Sequence, residues 1–363
     1  MEELDTIASI RKRPGMYFGA SDENGVHYTL MEVLGNCLDQ HFAGKLTRIE
    51  VTLTSDGGIV VTDDGEGIST EKNERGVSFL ESVFTEMHDT PTADGHAPHV
   101  HLNTWGVGLC VVCAVSKKLS VTTGSEPRVH QDFAEGRALG PAVTLDSEET
   151  GTRIEWVPDP EVFSSTRWNP SKIARELRYL AHLAPGLKTS LSMAPQTWGP
   201  VADLRALVYD LVDRDPVIGE AILCTAEDGP LSASAALLWC DVPSYGRTAP
   251  EVVSFCNLMR TRGGGSHVKG LMRGTRDVLR QTFDVVDQDE LDELTSGLRA
   301  VVSVHLIDPS YGAPTRDLLK TPEAYSLVRR ALIKDLGAVL SAKTPLRQAL
   351  AIRLEALAVD TEE

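Results

Sequence analysis

VHYTLMEVLGNCLDQHF, residues 26–42, carries Leu30, Val33, Leu34, Leu38 and Phe42 at helical spacing, with Glu32, Asn36 and Asp39 off that apolar stripe. The spacing predicts a helix. Two β-branched runs follow, IEVTLT (49–54) and IVVTD (59–63), joined by Ser55-Asp56-Gly57-Gly58, which is the signature of a hairpin. Beyond it, a polar stretch from Ser69 to Asn103 leads to a Gly106-Val107-Gly108 turn that opens an apolar helical run ending near Ser116. Strands are expected at Leu119 to Thr123 and Thr152 to Val157.

The pattern restarts near Trp168. A helix is expected from Ser171 to Leu183, then strands at ASAALLW (233–239) and VVSFCNL (252–258). Gly263-Gly264-Gly265 precedes a helix from His267 to Thr282, and AVVSVHLID (300–308) reads as a long strand. This β-α-β order implies a second α/β domain, in line with a chain of 363 residues. The tail from Pro345 sets Leu346, Leu350, Leu354 and Leu357 on one helical face; packing on its own domain is preferred to an oligomer seam. The expected domains are 1–165, 166–345 and a helical tail, 346–363.

A composition of 42% hydrophobic and 24% charged residues is that of an ordinary globular protein. No apolar run approaches the ~20 residues of a membrane helix, and MEELDTIASIRKRPGM lacks a signal-peptide core, so a cytoplasmic location away from membranes is expected. The six cysteines, mostly in apolar segments, read as buried free thiols. The net charge of −17 disfavours tight autonomous DNA binding, which depends on Lys and Arg neutralising phosphates.

Four short elements carry chemistry. Glu32 and Asn36 share a helix face, where a carboxylate can take a proton from water and an amide oxygen can ligate a metal. Asp63-Asp64-Gly65-Glu66-Gly67-Ile68 ends a strand with a carboxylate able to accept from an exocyclic amine, beside glycines that let backbone approach a flat ring. Trp105-Gly106-Val107-Gly108 opens a helix whose free N–H groups favour phosphate, and Thr150-Gly151-Thr152 leads a strand. Each element alone also fits a bland reading: a solvated surface pair, an Asx turn, or glycines required by ordinary turns. No Walker-type G-x-x-x-x-G-K-[ST] loop occurs.

Taken in order, with Arg11-Lys12-Arg13-Pro14-Gly15-Met16-Tyr17 ahead of them, these elements resemble the ATP site of the gyrase and topoisomerase IV B subunits. Those proteins belong to the GHKL family, with histidine kinases, MutL and the ninety-kilodalton heat-shock chaperones. SFCNLMRTRGGGSHVKG (254–270) and AVVSVHLIDPSYGAPTRDLLK (300–320) resemble the transducer of the same proteins, so the likeness covers roughly residues 8 to 335. It implies a Bergerat-type α/β two-layer sandwich (α+β) followed by an α/β transducer domain of ribosomal-protein-S5-like type. It also implies ATP and Mg²⁺ as ligands. Glu32 would be the general base and Asn36 the Mg²⁺ ligand. Asp63 would accept from the adenine amine, supported by Gly67, Ile68 and Thr152. Trp105, Gly106, Val107 and Gly108 would face the phosphates, Ser69 to Asn103 would form the lid, and Arg316 would reach the phosphates from the transducer.

Several positions depart from the family pattern. Gly35 and Gln40 replace acidic residues, and Tyr28 replaces a histidine that assists the base. Leu102, Asn103 and Trp105 replace a glycine pair and a histidine, and Pro314-Thr315-Arg316 stands for Gln-Thr-Lys. Glu66 and Gln131 occupy the positions of two arginines that hold aminocoumarin inhibitors. The N-terminal arm is short, and beyond residue 320 neither E-G-D-S-A nor a D-x-D pair occurs, so a complete topoisomerase is not expected. The resemblance therefore implies a slow, stand-alone Mg-dependent ATPase that forms a homodimer on ATP binding and acts on a gyrase-type protein partner. Two other readings stay open: a nucleotide-sensing decoy or inhibitor-resistance module, and an ATP-using biosynthetic enzyme on the same scaffold.

Overall fold

The computed structural model describes residues 6–87, 108–124, 127–192, 196–212, 215–241, 248–312 and 316–360. The chain divides into two compact units, Met1–Val201 and Ala202–Glu363.

The first unit begins with α1 (Thr6–Lys12), α2 (Gly15–Phe18) and α3 (Glu23–Phe42). Asp22 caps α3, its carboxylate accepting the Asn24 N–H at 2.8 Å, a contact typically worth ~1 kcal/mol. The apolar stripe is buried as expected at Leu30, Val33, Leu34 and Leu38. Glu32, expected off that stripe, is nevertheless 0% exposed. The hairpin forms between β1 (Arg48–Leu53) and β2 (Ile59–Asp63), with Leu53 opposite Ile59 and the Thr54 N–H donating to the Gly58 carbonyl at 3.0 Å.

After α4 (Phe79–Thr85) and α5 (Gly108–Ala114) come β3 (Ser116–Thr123), β4 (Arg128–Ala134), β5 (Arg137–Ala138), β6 (Val143–Leu145) and β7 (Thr152–Pro158). Along β7 buried and half-buried residues alternate, the pattern of a sheet with one face packed on helices. α6 (Pro170–Leu183), capped by the Asn169 side chain, precedes β8 (Lys188–Leu191) and β9 (Gln196–Trp198). The sheet order is β5-β4-β3-β7-β2-β1-β8-β9, with β6 beside β4. The pattern restart near Trp168 suggested a boundary at 165/166, but β8 runs parallel to β1, pairing Ile49 with Thr189, and lengthens the first sheet. The compact unit consequently extends to Val201.

The second unit contains α7 (Arg205–Tyr209), β10 (Val217–Asp228), β11 (Leu231–Cys240), β12 (Glu251–Cys256), β13 (Met259–Arg260), α8 (Ser266–Phe283), α9 (Gln288–Thr295), β14 (Leu298–His305), α10 (Pro322–Ser341) and α11 (Pro345–Asp360). Its sheet runs β10-β11-β14-β12-β13. β12 and β14 are parallel, so α8 and α9 form the crossover of the expected β-α-β order. α10 packs on α8 at Gly270 and Gly274, where a Cβ on Gly274 would lie 2.8 Å from that of Leu332. Leu346 and Leu350 of α11 enter the same core as Trp239, Leu298 and Val302, so the tail helix packs on its own unit. All six cysteines are buried and free. Among the described residues no helix is long and apolar enough to cross a membrane.

Candidate functional site

Asp63 is the last residue of β2 and is 7% exposed. Its Oδ1 accepts the N–H of Gly65 at 2.9 Å and of Thr152 at 3.1 Å; its Oδ2 accepts from the Cys37 thiol at 3.5 Å. Burial raises the Asp63 carboxyl above its ordinary value, opposed by these three donors. Burial, and then the neighbouring Asp63 charge, push the Cys37 thiol well above its own, so it remains an S–H donor. Asp64 has a different task. Its carboxylate accepts the N–H groups of Thr47 and Arg48 and the Thr47 hydroxyl, fixing the start of β1.

Two turns close around Asp63. Gly67 has φ +88°, and a Cβ there would fall 2.5 Å from the Gly124 nitrogen; Gly151 has φ +89°, and a Cβ would strike the Asp63 carbonyl oxygen. The Ile68 N–H donates to Thr123 Oγ1 at 2.8 Å, and that hydroxyl meets Thr152 Oγ1 at 2.9 Å. Asp63, Gly67, Ile68 and Thr152 are therefore brought together. Thr123 joins them unforeseen; its only signal is the β3–β7 register that pairs it with Thr152.

On α3, the Asn36 Nδ2 donates to the Glu32 carbonyl at 2.9 Å, which leaves Oδ1 as the amide's acceptor. Tyr28 packs its ring on Phe18, centroids 5.9 Å apart, within an apolar cluster that includes Ile10 and Val26. Thr29 Oγ1 accepts from Trp156 Nε1 at 3.1 Å. His27 Nε2 accepts the Asn169 N–H at 3.0 Å, tying α3 to the start of α6; burial, then the charges of Lys172 and Arg175, lower its pKa to about 4.

At the edge of the D-D-G-x-G turn, Gln40 Oε1 accepts the Glu66 N–H at 3.1 Å, and Lys45 pairs with the exposed Glu66 carboxylate at 2.7 Å. Gln131 is buried on β4, its Nε2 donating to Glu81 Oε2 and to the Gly140 carbonyl, each at 3.0 Å. In the stretch after Ile68, the Leu80 N–H donates to the Ser69 carbonyl at 3.0 Å and Ser78 caps α4. Gly108, φ +72°, starts α5, whose remaining residues are buried. Trp105, Gly106 and Val107, with Leu102 and Asn103, lie outside the described residues, as do Pro314 and Thr315. Arg316 belongs to the second unit. It is half-buried with φ +56°, and its charge partly offsets the burial that pushes the Cys256 thiol up to about 12.

The set suits a magnesium nucleotide. It offers the buried Asp63 carboxylate and the Asn36 amide oxygen, one turn beyond the buried Glu32. Among the described residues no cluster of three or more His, Cys, Asp or Glu could hold a metal. A cation here would rest on Asn36 and substrate phosphates, the habit of Mg²⁺ rather than of a protein-caged ion.

Residues 21–161 match the model of the histidine kinase-, DNA gyrase B- and HSP90-like ATPases, and residues 205–358 match that of DNA gyrase B. The chain is 30% identical to the DNA gyrase B protein of Synechocystis sp. over 90% of its own length and 32% of the relative's. It is 31% identical to the DNA gyrase B protein of Archaeoglobus fulgidus over 92% and 54%, and 30% identical to the DNA topoisomerase 4 B protein of Mycoplasma capricolum over 91% and 53%. It thus spans about a third to a half of the curated relatives it matches. The 43K ATPase domain of Thermus thermophilus gyrase B, solved with an aminocoumarin, superposes with a TM-score of 0.80 at 26% identity, covering 99% of this chain and 96% of that one.

Proposed function

We propose, for a chain that belongs to the DNA gyrase B and topoisomerase IV B family over its ATPase and transducer segments, that it binds Mg–ATP between α3 and the β2–β7 turns and hydrolyses it slowly. The observation that carries this reading is the coordination of Asp63. Two backbone donors from turns that tolerate only glycine consume Oδ1, leaving Oδ2 able to accept from the amine of adenine.

Glu32, enclosed one turn before Asn36, takes the proton from the attacking water. Asn36 presents its Oδ1 to the metal, and Mg²⁺ held there would neutralise charge on the phosphates. Thr152 and Thr123 hold Gly67 and Ile68 against the ring edge through their hydroxyls. Trp105, Gly106, Val107 and Gly108 are assigned to phosphate binding. Nucleotide binding drives homodimerisation, and the cycle acts on a protein partner of gyrase type, without tight DNA binding by this chain. Calorimetry with ATP and Mg²⁺, followed by sedimentation with a non-hydrolysable ATP analogue, tests the proposal. Micromolar binding and an analogue-dependent dimer are expected; no binding refutes the reading.

A second reading, an inhibitor-resistance module, is favoured by one observation: an acidic Glu66, paired with Lys45, stands where the family resemblance implies a drug-holding arginine.

A further inference from the structure

Cys37 follows Asn36 on α3 and is 3% exposed, in a segment otherwise filled by Val33, Leu34 and Leu38. A small apolar side chain would serve such a place as well. The thiol instead lies 3.5 Å from Asp63 Oδ2, the oxygen left for the purine amine. The two backbone donors to Asp63 both converge on Oδ1. A carboxylate gripped at one oxygen can still swing its second about that grip. A third donor, on Oδ2, stops that movement and leaves one lone-pair direction for the incoming amine. We propose that Cys37 is a positioning residue for base recognition, its S–H fixing the plane of the Asp63 carboxylate so that Oδ2 meets the exocyclic amine of adenine.

The proposal rests on the nucleotide reading above and deepens it. It concerns the 6-amino group alone, so it is tested by comparing ATP with purine riboside triphosphate, which lacks that group. Affinities of both are measured by calorimetry in the presence of Mg²⁺ for the parental chain, Cys37→Ala and Cys37→Ser. The parental chain should prefer ATP. Cys37→Ala should lower that preference about fivefold, the loss of a hydrogen bond worth ~1 kcal/mol, while leaving the affinity for purine riboside triphosphate unchanged. Cys37→Ser, which keeps a donor, should retain most of the preference. A merely structural role would weaken both nucleotides equally in Cys37→Ala, and that result, or a parental preference in that variant, overturns the proposal. If the parental chain binds the two nucleotides equally, the fault lies earlier, in Asp63 as the reader of the amine.

Discussion

The backbone N–H of Thr152 donates to Asp63 Oδ1 at 3.1 Å from a position 89 residues further along the chain, on the strand that pairs with β2. This contact makes the orientation of the Asp63 carboxylate a property of the sheet rather than of the D-D-G-x-G turn. Asp63→Asn preserves shape but turns a donor toward Cys37 and the adenine amine. A buried mismatch of this kind costs ~1–3 kcal/mol, so ATP affinity should fall roughly 5- to 150-fold. Calorimetry giving the parental affinity would count against the assignment of Asp63.

Stability should decline in mild acid. His27 accepts the Asn169 N–H and has a folded-state pKa near 4, against 6.5 for an exposed histidine. Above pH 6.5 the ring is neutral in both states and carries no penalty. As pH falls from 6.5 to 4 the unfolded chain takes up a proton that the folded chain refuses, and by pH 5 the loss is on the order of 1–2 kcal/mol. His267, with its Nε2 3.0 Å from Thr261 Oγ1, is lowered to about 4 by burial and adds to the trend. Urea unfolding at pH 7 and pH 5 should show this drop, and His27→Gln, which keeps an acceptor but does not titrate, should show less of it. Equal drops in the two proteins would exclude His27 as a source.

Aminocoumarins should bind poorly. Glu66 presents a carboxylate tied to Lys45, and the Gln131 amide is committed to Glu81 and Gly140, so neither offers a guanidinium to a drug. Two lost arginine contacts, each worth on the order of 1–3 kcal/mol, predict affinity for novobiocin roughly 30-fold or more below that of gyrase B, with ATP binding retained. Gyrase-like affinity in a calorimetric titration would show that these two residues do not face the drug.

The residues of the site are legible in sequence because their chemistry is local: helical spacing displays Glu32 with Asn36, and a strand end displays Asp63. Their partners are not. Cys37 meets Asp63 across 26 positions, and Thr123 meets Thr152 across 29, contacts that exist only once the sheet has its register. The full burial of Glu32 escapes a helical wheel that treats every polar residue as solvent-facing. In the fold, β8 is only KTSL, too short and polar to announce that it extends the first sheet. β10 hides behind a register shift between Ile218 and Ile222 that breaks the period of two.

The central claim is that Glu32, buried on α3, is the base for ATP hydrolysis, and Glu32→Ala tests it most directly. Steady-state turnover and calorimetric ATP binding are measured on the same preparations with Mg²⁺ present. Binding should persist near the parental affinity while turnover falls at least ~100-fold, the scale of a lost general base. Turnover by Glu32→Ala at the parental rate would contradict the account.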